Sequence, residues 1–313
     1  MINILILGHG AVGLSLGGLL YASQNEKFRI YFLLRKNSKL EDYLPVSVYV
    51  DQSKILLPRN IFKSIDASPQ ADLLIVAVKA YDLEKSLKDV LHLLSERTLV
   101  LPILNGLENA AFIKRICPYL KVFEASIYIS CEKKDINKIV NYSHRPRLII
   151  SSSEITNSYF SDSSMFNIDQ LIKFLNSSSI NCVSTHNSCK ESWKKFVVTS
   201  SVNGACVFFD KQLGEVLDNR ARSQFMINCL SEGTHVANIN GISFSTDELN
   251  QLISMIHLMP LNSIPSMLHD YRNGKKTEID FLNGKLVKLG KLSQIKTPTN
   301  EAVCNFVKDV DTF

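Results

Sequence analysis

Ile2-Asn3-Ile4-Leu5-Ile6-Leu7-Gly8-His9-Gly10-Ala11-Val12-Gly13 follows the first methionine. Residues 2–7 form an apolar run of strand length that stops at a glycine, and residues 11–22 are small and apolar in the manner of a packed helix. Strand, glycine turn and helix thus succeed one another without a gap. Five of the thirteen glycines, at 8, 10, 13, 17 and 18, lie in the first eighteen residues, and the next is Gly106. This crowding marks a local need for tight turning and close backbone approach.

Gly8, Gly10 and Gly13 have the G-x-G-x-x-G spacing, in which the glycines permit a sharp turn, approach of a pyrophosphate to the backbone, and close helix–sheet contact. The N-terminus of the next helix receives the phosphates. The segment Gly8, His9, Gly10, Ala11, Val12 and Gly13 is therefore expected to hold a dinucleotide, the alternative being a structural turn without a ligand. His9 contributes through its backbone. The second strand, Arg29 to Leu34, runs into Arg35-Lys36, where an NAD site usually places Asp or Glu on the ribose 2′-hydroxyl. A guanidinium there suits a 2′-phosphate and predicts NADP(H); a solvated charge pair is the plainer reading.

Apolar runs at Ala71 to Val78, Leu99 to Leu104 and Phe123 to Ile129 read as further strands, with helices at Asp82 to Ser95 and Glu108 to Ile116 between them. The alternation predicts a mostly parallel, doubly wound sheet, an α/β Rossmann N-terminal domain. The Ser-rich stretch 141–165 reads as strands and loops. After a last strand at Ile180 to Thr185 the pattern turns helical, and Ser245-Thr246-Asp247-Glu248 has the form of a capping box. We place the boundary at residue 186, with the Rossmann domain over 1–186 and an all-α domain over 187–313.

A chain of 313 residues, 45% apolar and 21% charged, is long enough for two cores. Its net charge of +5 is dispersed, without the basic block or motif of a nucleic-acid binder. The seven cysteines are irregularly spaced, which predicts reduced thiols and neither a disulfide framework nor a metal site, although Cys182, His186 and Cys189 cluster. No run has membrane-spanning length and the opening residues lack a signal peptide's basic region, so a cytoplasmic location without membrane association is expected. The sequence contains no Gly-x-Ser-x-Gly elbow of a serine hydrolase.

Four segments resemble the ketopantoate reductase (2-dehydropantoate 2-reductase) family. They are the glycine fingerprint with Arg35; Val78-Lys79-Ala80-Tyr81; Leu104-Asn105-Gly106; and Trp193-x-Lys195 with Asn203, followed by Ser266-Met267-Leu268-x-Asp270 and Glu278-Ile279-Asp280-Phe281-Leu282-Asn283-Gly284. The resemblance implies a C-terminal domain like that of 6-phosphogluconate dehydrogenase, a 2-oxo acid substrate and a homodimer. It implies that NADPH reduces the C2 carbonyl of ketopantoate to give pantoate, on the route to pantothenate, while the Lys195 ammonium stabilises and protonates the alkoxide. Glu278 would orient Lys195 or bond the forming hydroxyl. Asn105, Asn203 and Ser266 would position the substrate, while Lys79, Asn105 and Glu278 would lie beside the cofactor. Thr199 stands where the family usually has asparagine, and 141–153 lacks the family's glycines.

The residues by themselves allow plainer readings. Lys195, Thr199 and Asn203 recur at intervals of four and so share one helix face, which suits a cleft or a lysine snorkelling along a surface. Asn273-Gly274 breaks a helix and Thr277 is placed to cap the next, whose first-turn acid would be Glu278. Trp193 reads as core packing. Two rivals stand beside the family's activity: a reductase of another 2-oxo acid, and a non-catalytic NADPH-binding redox sensor.

Overall fold

The computed structural model describes residues 1–151 and 167–310. Its first unit, residues 1–104 with 108–188, contains β1 (Ile2–Leu7), α1 (Ala11–Ala22), β2 (Phe28–Leu34), β3 (Val46–Val50), β4 (Ser53–Leu57) and β5 (Phe62–Ser64). Then come β6 (Leu73–Val76), α2 (Leu83–Val90), β7 (Leu99–Pro102), α3 (Asn109–Ile116), β8 (Lys121–Val122), β9 (Ala125–Tyr128), β10 (Cys131–Asp135), β11 (Lys138–Asn141), β12 (Arg147–Ser151), α4 (Ile168–Ser177) and β13 (Asn181–Thr185).

The main sheet has the order β5-β2-β1-β6-β7-β8, and every pairing in it is parallel. The chain runs outward from β1 to one edge, returns beside β1 as β6, and continues to the other edge. This is the doubly wound arrangement expected, with its switch point between β1 and β6. Central strands covered on both faces must be apolar throughout, as the wholly buried β6 and β7 are.

Helix α1 lies against this sheet. A Cβ at Gly17 would come within 2.4 Å of both Ile6 and Phe32, so the approach requires a residue without a side chain. The helix also packs on a second sheet, β10-β11-β3-β4, and Val46, Val48, Leu57 and Ile139 join Leu14, Leu16 and Ile6 in one core. No run in the sequence marks this sheet, whose two hairpins, β3–β4 and β10–β11, are short. A third sheet, β13-β12-β9, joins parallel and antiparallel pairs.

The strand expected at Phe123 to Ile129 is present as β9, Ala125–Tyr128, but it belongs to the third sheet; the main sheet already ends at the two-residue β8, Lys121–Val122. An apolar run cannot reveal this, because both sheets bury their side chains. In the Ser-rich stretch, β11 ends at Asn141 and β12 covers Arg147–Ser151; residues 152–165 lie outside the described residues.

The second unit comprises residues 105–107 and 189–313. Its helices are α5 (Ser188–Phe209), α6 (Leu213–Leu217), α7 (Arg220–Ile239), α8 (Thr246–His257), α9 (Ser266–Arg272), α10 (Asn283–Leu292) and α11 (Pro298–Val310). Helix α8 has the expected capping box, with Ser245 and Glu248 bonding each other's backbone N–H. The middle of α5 is buried from Phe196 to Val198 and again from Ser200 to Val207, so this helix is the axis of the unit's core. Trp193 packs edge-on against Phe196 at 5.7 Å between ring centres. Among the described residues no helix is long and apolar enough to cross a membrane, and no group of three metal-ligating side chains is assembled.

Candidate active site

The glycine turn joins the C-terminal end of β1 to α1. Gly8 has φ +110°, and a Cβ there would lie 2.6 Å from the Ala77 carbonyl beyond β6. A Cβ at Gly13 would fall 2.0 Å from the Gly8 carbonyl oxygen. Gly10 differs: a Cβ on it would meet nothing within 4 Å. The backbone therefore leaves open space at the start of α1, whose first residues are Ala11 and Val12. No side chain caps this helix and its first turn holds no acid. A helix start with no side-chain cap, no acid in its first turn and room beside Gly10 fits a phosphate.

His9, half-buried in the turn, has Nε2 3.4 Å from Ser38 Oγ. Burial first, then the charges of Lys133 and Arg35, lower its pKa to about 4, so its imidazole is neutral at pH 7. Arg35, just past β2, is half-buried and donates from Nη2 to Ser86 Oγ on α2, with the same nitrogen 3.8 Å from Asp82 Oδ2. Asp82 and Ser86 are not evident in the sequence, because only the parallel order β2-β1-β6, with α2 following β6, brings them to Arg35. Lys79 is half-buried after β6, at the start of the 3-10 turn Ala80–Asp82.

In the second unit, Lys195, Thr199 and Asn203 occupy one face of α5, as their spacing predicted. Lys195 is half-buried; burial lowers its pKa to about 8, against the opposing effect of the Glu278 charge. Glu278 is buried, 3% exposed, and accepts a hydrogen bond at 3.3 Å from Asn105 Nδ2. Asn105 is remote in sequence but belongs to this unit by its contacts, and Gly106 after it turns with φ +100°. The structure thus gathers Lys195, Glu278 and Asn105 into one electrostatic set.

Asn203 does different work. Its Oδ1 accepts from the Met267 N–H at 2.9 Å, and its Nδ2 donates to the Thr199 carbonyl at 2.9 Å. It thereby fixes the first turn of α9, in which Ser266 is exposed. Thr199 is half-buried. Thr277 does not cap a helix: Glu278 precedes a 3-10 turn, Ile279–Phe281, no side chain caps that turn, and α10 begins only at Asn283. The Thr277 side chain is buried instead, with its hydroxyl lacking a hydrogen-bond partner. A capping signature describes local sequence, and here the burial of Glu278 takes precedence.

Two family models match the chain: Ketopantoate reductase PanE/ApbA over residues 4–153, and the C-terminal model of the same family over residues 187–311. The chain belongs to the ketopantoate reductase family. A 2-dehydropantoate 2-reductase of Streptococcus pyogenes is 24% identical over 297 residues, spanning 94% of this chain and 93% of the relative. Among solved structures, a PanE/ApbA family ketopantoate reductase from Ralstonia eutropha JMP134 is similar with a TM-score of 0.83, 21% identity and 99% of each chain covered. D-mandelate dehydrogenase, solved with NADH and anilino(oxo)acetate, is similar with a TM-score of 0.85 at 19% identity, also over 99% of each chain. The two structures share the fold: a Rossmann sheet unit followed by a helical unit.

Not every residue of the ketopantoate reductase motifs stands in the candidate site. Asn283 is buried and donates to the Ser200 carbonyl at 3.2 Å and to Asn300 Oδ1 at 2.9 Å. It ties α10 to α5 and α11, so the Glu278-to-Gly284 segment combines a candidate site acid with a structural amide. Spacing alone does not separate those roles.

Proposed function

We propose that the chain reduces 2-dehydropantoate to pantoate with NADPH, in pantothenate biosynthesis. The observation that carries this reading is the half-buried Lys195 with its pKa lowered to about 8, under the charge of buried Glu278 held by Asn105. An ammonium in that condition is a competent acid near neutral pH and an electrostatic partner for a developing alkoxide.

The glycine turn would hold the pyrophosphate on the backbone of Gly8 to Gly13 and the N-terminus of α1, with Arg35 at the 2′-phosphate and Lys79 beside the cofactor. Bound NADPH supplies the hydride for the carbonyl carbon. Lys195 Nζ donates its proton to the carbonyl oxygen as negative charge develops there. Glu278 favours the charged form of Lys195, and Asn105 fixes the carboxylate. Asn203 and Thr199 line the same face of α5, and Ser266 would bind the substrate's polar end. Asn203 also positions Ser266 through the Met267 N–H.

A second reading, reduction of another 2-oxo acid by the same chemistry, is favoured by the equally extensive likeness to D-mandelate dehydrogenase. The test is NADPH oxidation with ketopantoate and a panel including phenylglyoxylate, repeated with NADH. Fast turnover on ketopantoate supports the proposal; turnover on another acid alone moves the substrate and retains the mechanism. No turnover with any acid favours a non-catalytic NADPH-binding sensor.

A further inference from the structure

Arg35 is the residue from which preference for a 2′-phosphate would be argued, yet it is not an isolated cation. Its Nη2 lies 3.8 Å from Asp82 Oδ2 and donates to Ser86 Oγ. Ser86 Oγ in turn donates at 2.7 Å to the Asp82 carbonyl, which ties α2 to the turn carrying Asp82. Arg35 follows β2, Gly8 follows β1 and Asp82 closes the turn after β6, and these three strands are neighbours in the sheet. The Arg35–Asp82 pair therefore stands at the C-terminal strand ends beside the switch point, where doubly wound sheets receive the adenosine half of a dinucleotide.

The pair offers two chemistries. A guanidinium attracts the 2′-phosphate dianion and donates to its oxygens. A carboxylate accepts hydrogen bonds from a ribose 2′-hydroxyl and repels the dianion. Both side chains are 39% exposed, so neither is removed from the reach of a ligand. A dianion engaging Arg35 would also enter the field of Asp82, because the charges are one ion-pair distance apart.

The geometry points to Asp82 as a cofactor-selectivity residue: it opposes the Arg35 preference, so that the site accepts both NADPH and NADH with weak discrimination. This rests on the dinucleotide reading of the glycine turn.

The test is direct binding, by the fluorescence of the reduced nicotinamide or by calorimetry, of NADPH and NADH to the full chain and to Asp82→Asn and Arg35→Gln. The unsubstituted protein is expected to bind both, with Kd values within about tenfold of each other. Asp82→Asn keeps the shape and removes the charge; it is expected to shift the Kd ratio towards NADPH by about tenfold or more, chiefly by tightening NADPH. Arg35→Gln is expected to shift the ratio towards NADH. Binding of both dinucleotides with a ratio unchanged in Asp82→Asn overturns the role of Asp82 and leaves the dinucleotide reading standing. Binding of neither dinucleotide to the unsubstituted protein overturns both.

Discussion

The Asn105 side chain donates to the Glu278 carboxylate at 3.3 Å although 173 positions separate the two residues. The bond joins the loop after β7 to the segment before α10, and both belong to the helical unit by their contacts. A buried carboxylate is tolerated only when its charge is answered, and here Asn105 and the Lys195 ammonium provide the answer.

Removing the acid tests this set most directly. Lys195→Ala and Glu278→Ala are each expected to lower kcat/KM for the accepted 2-oxo acid by about a hundredfold or more. Asn105→Ala is expected to cost less, about tenfold, because the Glu278 side chain itself remains beside Lys195. Steady-state kinetics with circular dichroism of each variant separates lost chemistry from lost fold, and near-wild-type kcat/KM in both the Lys195 and Glu278 variants would remove the assignments.

The pH profile has a definite sign. With Lys195 as the proposed acid, reduction would require its protonated form, so kcat/KM should fall as pH rises through about 8. Glu278 raises the Lys195 pKa against the larger effect of burial, so Glu278→Gln should move the falling limb to lower pH. A limb that stays in place would show that another group titrates.

His9 makes a separate prediction about stability. Its pKa falls from 6.5 to about 4 on folding, so the native state binds fewer protons than the unfolded chain between those values. Stability associated with neutral His9 is fully present above about pH 6.5 and is lost as pH falls towards 4. Thermal melts across that range should show a smaller drop in Tm for His9→Asn than for the unsubstituted protein; parallel curves would contradict the buried, neutral imidazole.

Glu232 on α7 caps a helix from outside it. Its carboxylate accepts from the Thr299 N–H at 2.8 Å, the Asn300 N–H at 3.0 Å and Asn300 Nδ2 at 2.7 Å, all at the start of α11. Such an acid satisfies orphan N–H groups and opposes the helix dipole. Glu232→Ala is expected to destabilise the protein by about 2 kcal/mol in denaturant unfolding, with little change in KM. An unchanged midpoint would show that water replaces the carboxylate without loss.

By itself the sequence determined the Rossmann strand–turn–helix, most of the parallel strands, the helical second half and the shared face of Lys195, Thr199 and Asn203. These are local properties: strand and helix periodicity, three glycines at fixed spacing, and a four-residue interval on one helix. The second sheet was not legible, because β3–β4 and β10–β11 are short hairpins and only the parallel pairing of β3 with β11, distant in the chain, joins them into a sheet. Nor was the sheet to which the strand within Phe123 to Ile129 belongs, since an apolar run does not say which sheet buries it. Only tertiary structure placed Asp82 and Ser86 beside Arg35, Asn105 on Glu278, and Asn203 under the first turn of α9. It also buried Glu278 ahead of a 3-10 turn, where local sequence suggested the first-turn acid of a helix. The physical reason is common to these cases: charge–charge and hydrogen-bond partners are chosen by distance in space, and that distance is fixed by how sheets and helices pack.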